Sequence, residues 1–491
     1  MSRNILLVEP TYKTKFPPLG LMKISAYHKL LGDNVYFFKG ISREVDDFAY
    51  WDRIYVSTLF TYHWNVTVET IKHYKKLVKG DTSRIFVGGI MATLMADELW
   101  RETGVVPLTG LLTATGALRD DNDLVIEDMI PDYELFDKSQ FNKDSLLFEE
   151  SALFDKPVQQ NPEKYDLIDD RYFGYSSRGC PRNCEFCGVR ILEPKFMHYK
   201  DIKPYVEAIK DQYGEKEHLV LFDNNVLASK HFKQIIHDIL DLGFEKGARI
   251  EYKNKTGHPT FKHRHVDFNQ GTDLRYINKT RIQLLSKIPI HPLRIAFDHI
   301  SLKDEYCKKV ELAADHRIEN LSNYILYNWK DTPQDLWTRL KINIDLNKKL
   351  GLKIYSFPMK FIPLKAKDRT YIDVPRWNWY FIRSVQRILN VLKGSVMTGQ
   401  DFFYRAFGKN KTEFRMILHM PERILMYRGR EPRHDEIDWV NKFKNLTKGE
   451  QKELLAILCE NRTASTLRTA VAENKNRKLG NILDFYLPEE N

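Results

Sequence analysis

Three cysteines fall in one short loop, Gly179-Cys180-Pro181-Arg182-Asn183-Cys184-Glu185-Phe186-Cys187-Gly188, a CxxxCxxC spacing directly after an apolar run. Thiolates in one such loop can each bind one iron of a cubane, which leaves the fourth iron without a protein ligand. An open metal position is what catalytic sites keep for a substrate or cofactor, whereas structural zinc closes four ligands. Zinc would need a further donor here. The nearest histidine, His198, lies eleven residues beyond Cys187, so a Cys3His site is conceivable. Cys307 and Cys459 stand alone and read as buried thiols, which limits the chain to one cluster. Cysteines so distributed do not make a disulfide framework.

The elements that must position this loop follow from periodicity. Strands are expected at 172–178, 218–223, 266–269, 293–298, 322–327 and 353–359, alternating with helices near 201–213, 230–242, 278–288, 302–316 and 333–350. Six strand–helix units predict an α/β fold with an open, partial (β/α)6 barrel of the TIM type over 171–365. Active groups in such barrels sit at the carboxyl ends of the strands. The segment 246–265 reads as a basic polar insert whose His258, His263 and His265 are metal candidates.

Ahead of this region, Ile5-Leu6-Leu7-Val8, 34–38, 53–57 and 84–87 read as strands, with helices at 19–31 and 66–78 and a fifth, short strand at 105–108. That alternation predicts a doubly wound, Rossmann-like parallel sheet over 1–116. Its carboxyl ends carry Glu9-Pro10, Ser57-Thr58 and Gly88-Gly89, where such sheets bind ligands. Residues 117–170, rich in Asp, Asn and Pro, are expected to be a connector wrapped on the surface. Residues 366–491 are expected to form a mostly helical domain, on the i, i+3, i+4 apolar spacing of 377–392 and 448–458.

The cysteine loop, with aromatic Phe186 just before its last cysteine, resembles the signature loop of radical S-adenosylmethionine (SAM) enzymes. The resemblance implies a [4Fe–4S] cluster on Cys180, Cys184 and Cys187, with the amino and carboxylate groups of SAM on the unique iron. It implies that one electron, from a flavodoxin- or ferredoxin-type donor, cleaves SAM to a 5′-deoxyadenosyl radical that abstracts a substrate hydrogen. It also implies an oxygen-sensitive protein. Asp223 and Asn224, in Phe222-Asp223-Asn224-Asn225, stand where the family holds the SAM amino group, although the usual Gly-Gly-Glu form is absent. Gln270, Asp273 and Arg275 end the third barrel strand and are candidates for SAM or substrate, Arg275 because its planar fork suits a carboxylate. Asp298, Asn323, Tyr324 and Asn328 lie near the next two strand ends; alternatively Asp298 is a helix cap and Tyr324 packs the strand edge.

Residues 3–365 resemble the subgroup with a cobalamin-binding-like domain ahead of the barrel, through Pro17-Pro18-Leu19-Gly20-Leu21, Gly88-Gly89-Ile90 and Pro131-Asp132-Tyr133. Gly88 and Gly89 are then cofactor-binding candidates, cobalamin is a candidate cofactor, and methyl transfer to an unactivated carbon is a candidate reaction. The Asp-x-His-x-x-Gly cobalt-ligand motif is absent, and the stretch after 108 is short. Cobalamin-independent radical rearrangement, dehydrogenation or ligation therefore stays open. So does a non-catalytic cobalamin or nucleic-acid sensor with a structural cluster. Methylthiotransferases, which need further cysteines upstream, do not fit a chain with none before Cys180.

Composition sets the partners. The 491 residues are 43% hydrophobic and 29% charged, as in ordinary globular proteins. No apolar run approaches the ~20 residues that span a bilayer, and the start reads as a strand rather than a signal peptide, so a cytoplasmic protein is expected. The net charge is +10, and residues 361–491 account for about +8 of it. Such a region can meet an anionic substrate or nucleic acid, and Arg423, Arg428, Arg430 and Arg433 are its anion-binding candidates; the plainer reading is a solvated basic surface.

Overall fold

The structure is a computed structural model that describes residues 2–41, 50–136, 165, 167–253, 257–429 and 431–488. Much of the expected connector, and Arg430, lie outside the described residues. The chain divides into two bodies. One comprises Met1–Gln270, Gln283–His291 and Ile362–Thr370, the other Gly271–Ile282, Pro292–Phe361 and Tyr371–Asn491.

The first body opens with the expected parallel sheet. Its strands are β1 (Asn4–Glu9), β2 (Asn34–Lys39), β3 (Arg53–Thr58) and β4 (Ile85–Gly89), in the order β2-β1-β3-β4. Ile5, Leu6, Leu7 and Val8 are wholly buried, which is why β1 reads as an unbroken apolar run rather than an alternating one. Helices Leu19–Leu30 and Trp64–Leu77 follow β1 and β3. The chain leaves β1 on both sides, so the crevice of this sheet lies at the carboxyl ends of β1 and β3. The fifth strand shrinks to a single parallel bridge, Gly88 to Leu108. Pro107 has no N–H for a ladder, and Gly110, at φ +73°, turns the chain away.

The described part of the connector is anchored rather than loosely wrapped. Asp120 accepts from Arg3 Nη1 at 2.7 Å, from Arg53 Nη1 and Nη2 at 2.8 and 2.7 Å, and from the Tyr27 hydroxyl at 2.8 Å. Asp132 accepts from Ser25 Oγ at 2.6 Å, and the Tyr133 hydroxyl accepts from the Phe173 amide at 3.0 Å. A run of acids that looks like solvated loop thus ties the first sheet to the next strand.

That strand, β5 (Arg171–Gly174), pairs in parallel with β6 (His218–Leu221). The basic insert is an antiparallel hairpin of β7 (Arg249–Lys253) and β8 (Pro259–His263), not an irregular loop. β9 (His265–Phe268) then completes a sheet of order β5-β6-β9. The three histidines of the insert are not gathered into one site: among the described residues, the group of potential ligand atoms that converges is Asp170, Glu217 and His218. His265 instead stacks between His218 and His291, with ring centroids 5.0 and 4.5 Å away.

The second body holds β10 (Leu293–Arg294), β11 (Asn320–Tyr327) and β12 (Lys353–Lys360), parallel, in that order. β10 is shorter than expected, although its hydrogen bonding continues through Ile295 and Phe297 to Ser322 and Tyr324. All six expected strands are therefore present, as two three-stranded parallel sheets, with no closed barrel among the described residues. Helix Pro333–Leu350 starts at a Thr332/Asp335 capping box, which satisfies otherwise orphaned N–H groups reciprocally. It presents Leu336, Leu340 and Ile344 to a core shared with Trp377, Phe381, Phe403, Phe414 and Trp439 from the C-terminal helices. Those helices include Trp379–Val391 and Lys448–Glu460, where the apolar spacing predicts them, and also Lys411–His419 and His434–Lys444. No described helix is long and apolar enough to cross a membrane.

Candidate metal and cofactor site

The cysteine loop leaves β5 through Tyr175, Ser176 and Ser177 and is closed at its base. The Arg178 amide donates to the Met197 carbonyl at 3.0 Å, and the Met197 amide returns a bond at 2.9 Å. The twenty-residue excursion is therefore pinned at both ends. Gly179 is required at its entrance: φ is +78°, and a Cβ there would lie 2.8 Å from the Lys195 carbonyl oxygen. Gly188 closes the motif against Leu94, whose Cδ2 would sit 3.3 Å from a Cβ at that position. The short helix Ile90–Leu94, directly after Gly88-Gly89, thus packs on the end of the cysteine loop.

Two carboxylates hold this entrance. Asp223, at the carboxyl end of β6, is wholly buried. It accepts from the Ser176 amide at 3.0 Å, Ser176 Oγ at 2.8 Å and Ser177 Oγ at 2.6 Å. Burial pushes its pKa up against the pull of these donors. Sequence places Asp223 among the cofactor-binding residues, but here both its oxygens are engaged in holding the root of the cysteine loop. Glu193, which no motif picks out, is the second. It accepts from the Gly179 amide and, at 3.1 Å, from Asn224 Nδ2, and it pairs with Arg178 at 3.1 Å. Arg178 lies 3.7 Å over the Tyr175 ring and 3.6 Å from Glu127. Glu127 also sits 3.3 Å from Lys23. Burial lowers the Lys23 pKa to about 8, with Glu127 acting against it.

All three cysteines of the motif are free thiols and partly exposed. Their sulfurs do not all lie within 4.8 Å of one another. Cys180 Sγ accepts from the Arg182 amide and from Asn225 Nδ2, each at 3.4 Å. Asn225 is buried, and its Oδ1 has no hydrogen-bond partner among the described residues. It is thus the neighbour of Asn224, rather than Asp223, that offers an unused acceptor beside a thiol of the motif. Its position in Asp223-Asn224-Asn225 is the only trace of this in the sequence. Phe186 is half-buried within the loop.

The remaining candidates divide between the bodies. Gln270 is exposed at the end of the first, with Nε2 3.3 Å from Asn269 Oδ1. In the second, Arg275 pairs with Asp273 at 2.7 Å. Asp298 follows the end of β10, where burial raises its pKa to about 6 against the opposing charges of Arg339 and Arg275. Arg339, wholly buried and not flagged by any motif, fixes that strand end. Its Nη1 donates to the carbonyls of Phe297, Asp298 and Leu326 at 3.0, 2.8 and 2.8 Å, and its Nη2 donates to Asp331 at 2.6 Å. Asn323 joins an interior network: it donates to the Tyr306 hydroxyl at 3.1 Å, which donates to Asn343 at 2.8 Å. It packs toward the covering helices because it alternates with Tyr324, whose ring lies against Gly271. Asn328 takes φ +65° and bonds the Tyr371 carbonyl and the Asp373 amide. Gly89 is demanded by packing, since a Cβ there would lie 2.3 Å from the Thr58 carbonyl oxygen; Gly88 lies opposite Leu108.

At the carboxyl ends of β1 and β3 the structure shows a group that the sequence does not suggest. His63 stacks on Tyr12 with ring centroids 5.1 Å apart, and its Nδ1 is buried without a hydrogen-bond partner among the described residues. Burial lowers its pKa, which keeps the imidazole neutral.

No family model matches this chain, and no curated protein matches it. Solved structures do resemble it. TsrM from Kitasatospora setae, a radical SAM methyltransferase with cobalamin and a [4Fe–4S] cluster bound, is 13% identical over 74% of this chain and 77% of that one, with a TM-score of 0.48. Apo OxsB, a cobalamin-dependent SAM radical enzyme, is 13% identical over 98% and 74%, with a TM-score of 0.45. Streptococcus suis SuiB bound to SAM is 10% identical over 48% and 52%, with a TM-score of 0.31. At these scores the likenesses carry no argument about what this chain binds or does.

Proposed function

We propose that this chain is a radical SAM enzyme whose Cys180, Cys184 and Cys187 hold a [4Fe–4S] cluster. The observation that carries the reading is the triad itself: three free thiols on a pinned loop at the carboxyl end of a parallel strand, with an unused acceptor, Asn225 Oδ1, beside Cys180. The donor set fits the cluster. A single tetrahedral zinc with Zn–S bonds of about 2.3 Å would draw all its sulfurs to within about 3.8 Å of each other, whereas these three do not all lie within 4.8 Å. Amide donors directed at a cysteine sulfur are how proteins tune such clusters. When bound, the cluster would pass one electron from a flavodoxin- or ferredoxin-type donor to SAM, and the adenosyl fragment would take a hydrogen atom from substrate.

In this reading Asn225 Oδ1 accepts from the SAM ammonium, and Glu193 and Asp223 keep the loop in register. Formation of 5′-deoxyadenosine by the reduced, reconstituted protein tests the reading. A fully loaded cluster that yields none, with or without candidate substrates, sinks it.

Cobalamin-dependent methyl transfer is the second part of the proposal, and His63 is the observation that favours it. A buried, neutral, unpartnered imidazole nitrogen at the crevice of a doubly wound sheet is a feature a bound polar cofactor would explain. Cobalamin would supply a methyl carrier there. Anaerobic loading with hydroxocobalamin and desalting should leave close to one cobalamin per chain, and His63→Ala should lower retention several-fold at unchanged iron content. No retention by the parent would move the reaction to cobalamin-independent radical chemistry.

A further inference from the structure

A cavity of about 1240 Å³ lies within the C-terminal helices of the second body. Its wall is basic. Arg405, Lys409, Lys411, Arg415, Arg428 and Lys444 face two carboxylates, Glu413 and Glu436. Glu436 is already spent: both guanidinium nitrogens of Arg405 clamp it, and Arg428 Nε donates to it at 3.1 Å. Although burial opposes it, this pairing with Arg405 and Arg428 holds the Glu436 carboxyl below its ordinary pKa. Glu413 is likewise engaged, accepting from the Lys409 amide at 2.8 Å.

Arg428 is the unusual member. Its side chain is 8% exposed, yet its Nη1 has no hydrogen-bond partner among the described residues. A buried guanidinium nitrogen left unpaired costs stability, and proteins retain one where a partner arrives from outside. An anion seated at Nη1 would supply that partner, and the neighbouring lysines would add charge that outweighs the one carboxylate, Glu413, left without a cationic partner in the wall among the described residues.

We propose that this cavity is a binding site for a phosphate-bearing small molecule, with Arg428 Nη1 as its buried anchor and Lys409, Lys411 and Lys444 as its mouth. Phosphate fits better than a lone carboxylate. A dianion with three acceptor oxygens can use cations arriving from several directions, and a guanidinium fork matches it bidentately. The volume admits more than the phosphate itself, so the ligand is a phosphate ester rather than the bare ion. The site uses no residue of the cysteine loop, so it stands or falls independently of the proposed function.

Titration calorimetry of the full-length protein with inorganic pyrophosphate, adenosine monophosphate and acetate tests it. Pyrophosphate and the nucleotide should bind in the micromolar-to-millimolar range, and acetate should not. Arg428→Gln should weaken phosphate binding at least tenfold. Lys409→Gln/Lys411→Gln, two surface changes that spare the fold, should weaken it several-fold and flatten its salt dependence. Equal binding of acetate, unchanged affinity in both variants, or no binding of either phosphate compound would overturn the proposal. Binding of a single-stranded oligonucleotide far tighter than the mononucleotide, lost in the same variants, would also overturn it in favour of a nucleic-acid surface.

Discussion

Alanine in place of any one of Cys180, Cys184 and Cys187 should reduce iron from about four atoms per chain to near zero after reconstitution and desalting, because in the proposed cluster each thiolate would hold one iron and no spare cysteine stands in the loop. The visible absorbance of the cluster and any SAM cleavage should vanish with it. Cys307→Ala and Cys459→Ala should keep all three signals. Neither side chain belongs to the loop: Cys307 lies on helix Lys303–Asp315, and Cys459 lies on helix Lys448–Glu460 with its Sγ 3.7 Å from Asn378 Oδ1. Iron and sulfide assays with an absorbance spectrum decide the matter. Loss of iron in Cys307→Ala would show that the triad is not the whole ligand set.

Asp223→Ala should be the most damaging change outside the cysteines. It strips three hydrogen bonds from Ser176 and Ser177 in a site closed to water, leaving an amide that cannot reorient. The expected loss is about 3 kcal/mol, within the range for an unsatisfied buried group plus the bonds forgone. Ser177→Ala, which removes one donor and leaves the carboxylate its others, should cost about 1 kcal/mol. Denaturant unfolding of the metal-free chain measures both. Because Ser176 and Ser177 lead directly into Arg178 and Gly179, Asp223→Ala should also lower iron retention. A variant that is as stable as the parent and keeps its iron but no longer binds SAM would return Asp223 to the cofactor.

The fold was largely readable because it rests on periodicity. Buried parallel strands such as Ile5–Val8 and Leu219–Leu221 are short apolar runs, and helices such as Pro333–Leu350 carry their caps in the sequence. What could not be read was decided by tertiary contact. Residues 249–253 and 259–263 look like polar loop, yet they pair antiparallel because β-ladders need no apolar pattern when both faces are wet. Asp120 looks solvated, but it faces Arg3 and Arg53 across more than fifty residues of chain.

The site shows the same division. The cysteines announce themselves because their ligand spacing is local. Glu193, Arg178 and Asn225 do not, because their roles exist only once two strand ends and a pinned loop converge. Asp223 is legible as a polar group at the strand end, but its bonds to the serines are not, because burial decides that it faces them.

The most direct test of the central claim is electron paramagnetic resonance of the anaerobically reconstituted, dithionite-reduced protein before and after addition of SAM. A reduced [4Fe–4S] signal whose g-values shift on adding SAM is expected, since SAM would coordinate the iron that no cysteine holds. A cluster signal that SAM leaves unchanged, or a chain that takes up one zinc and no iron, would contradict the account.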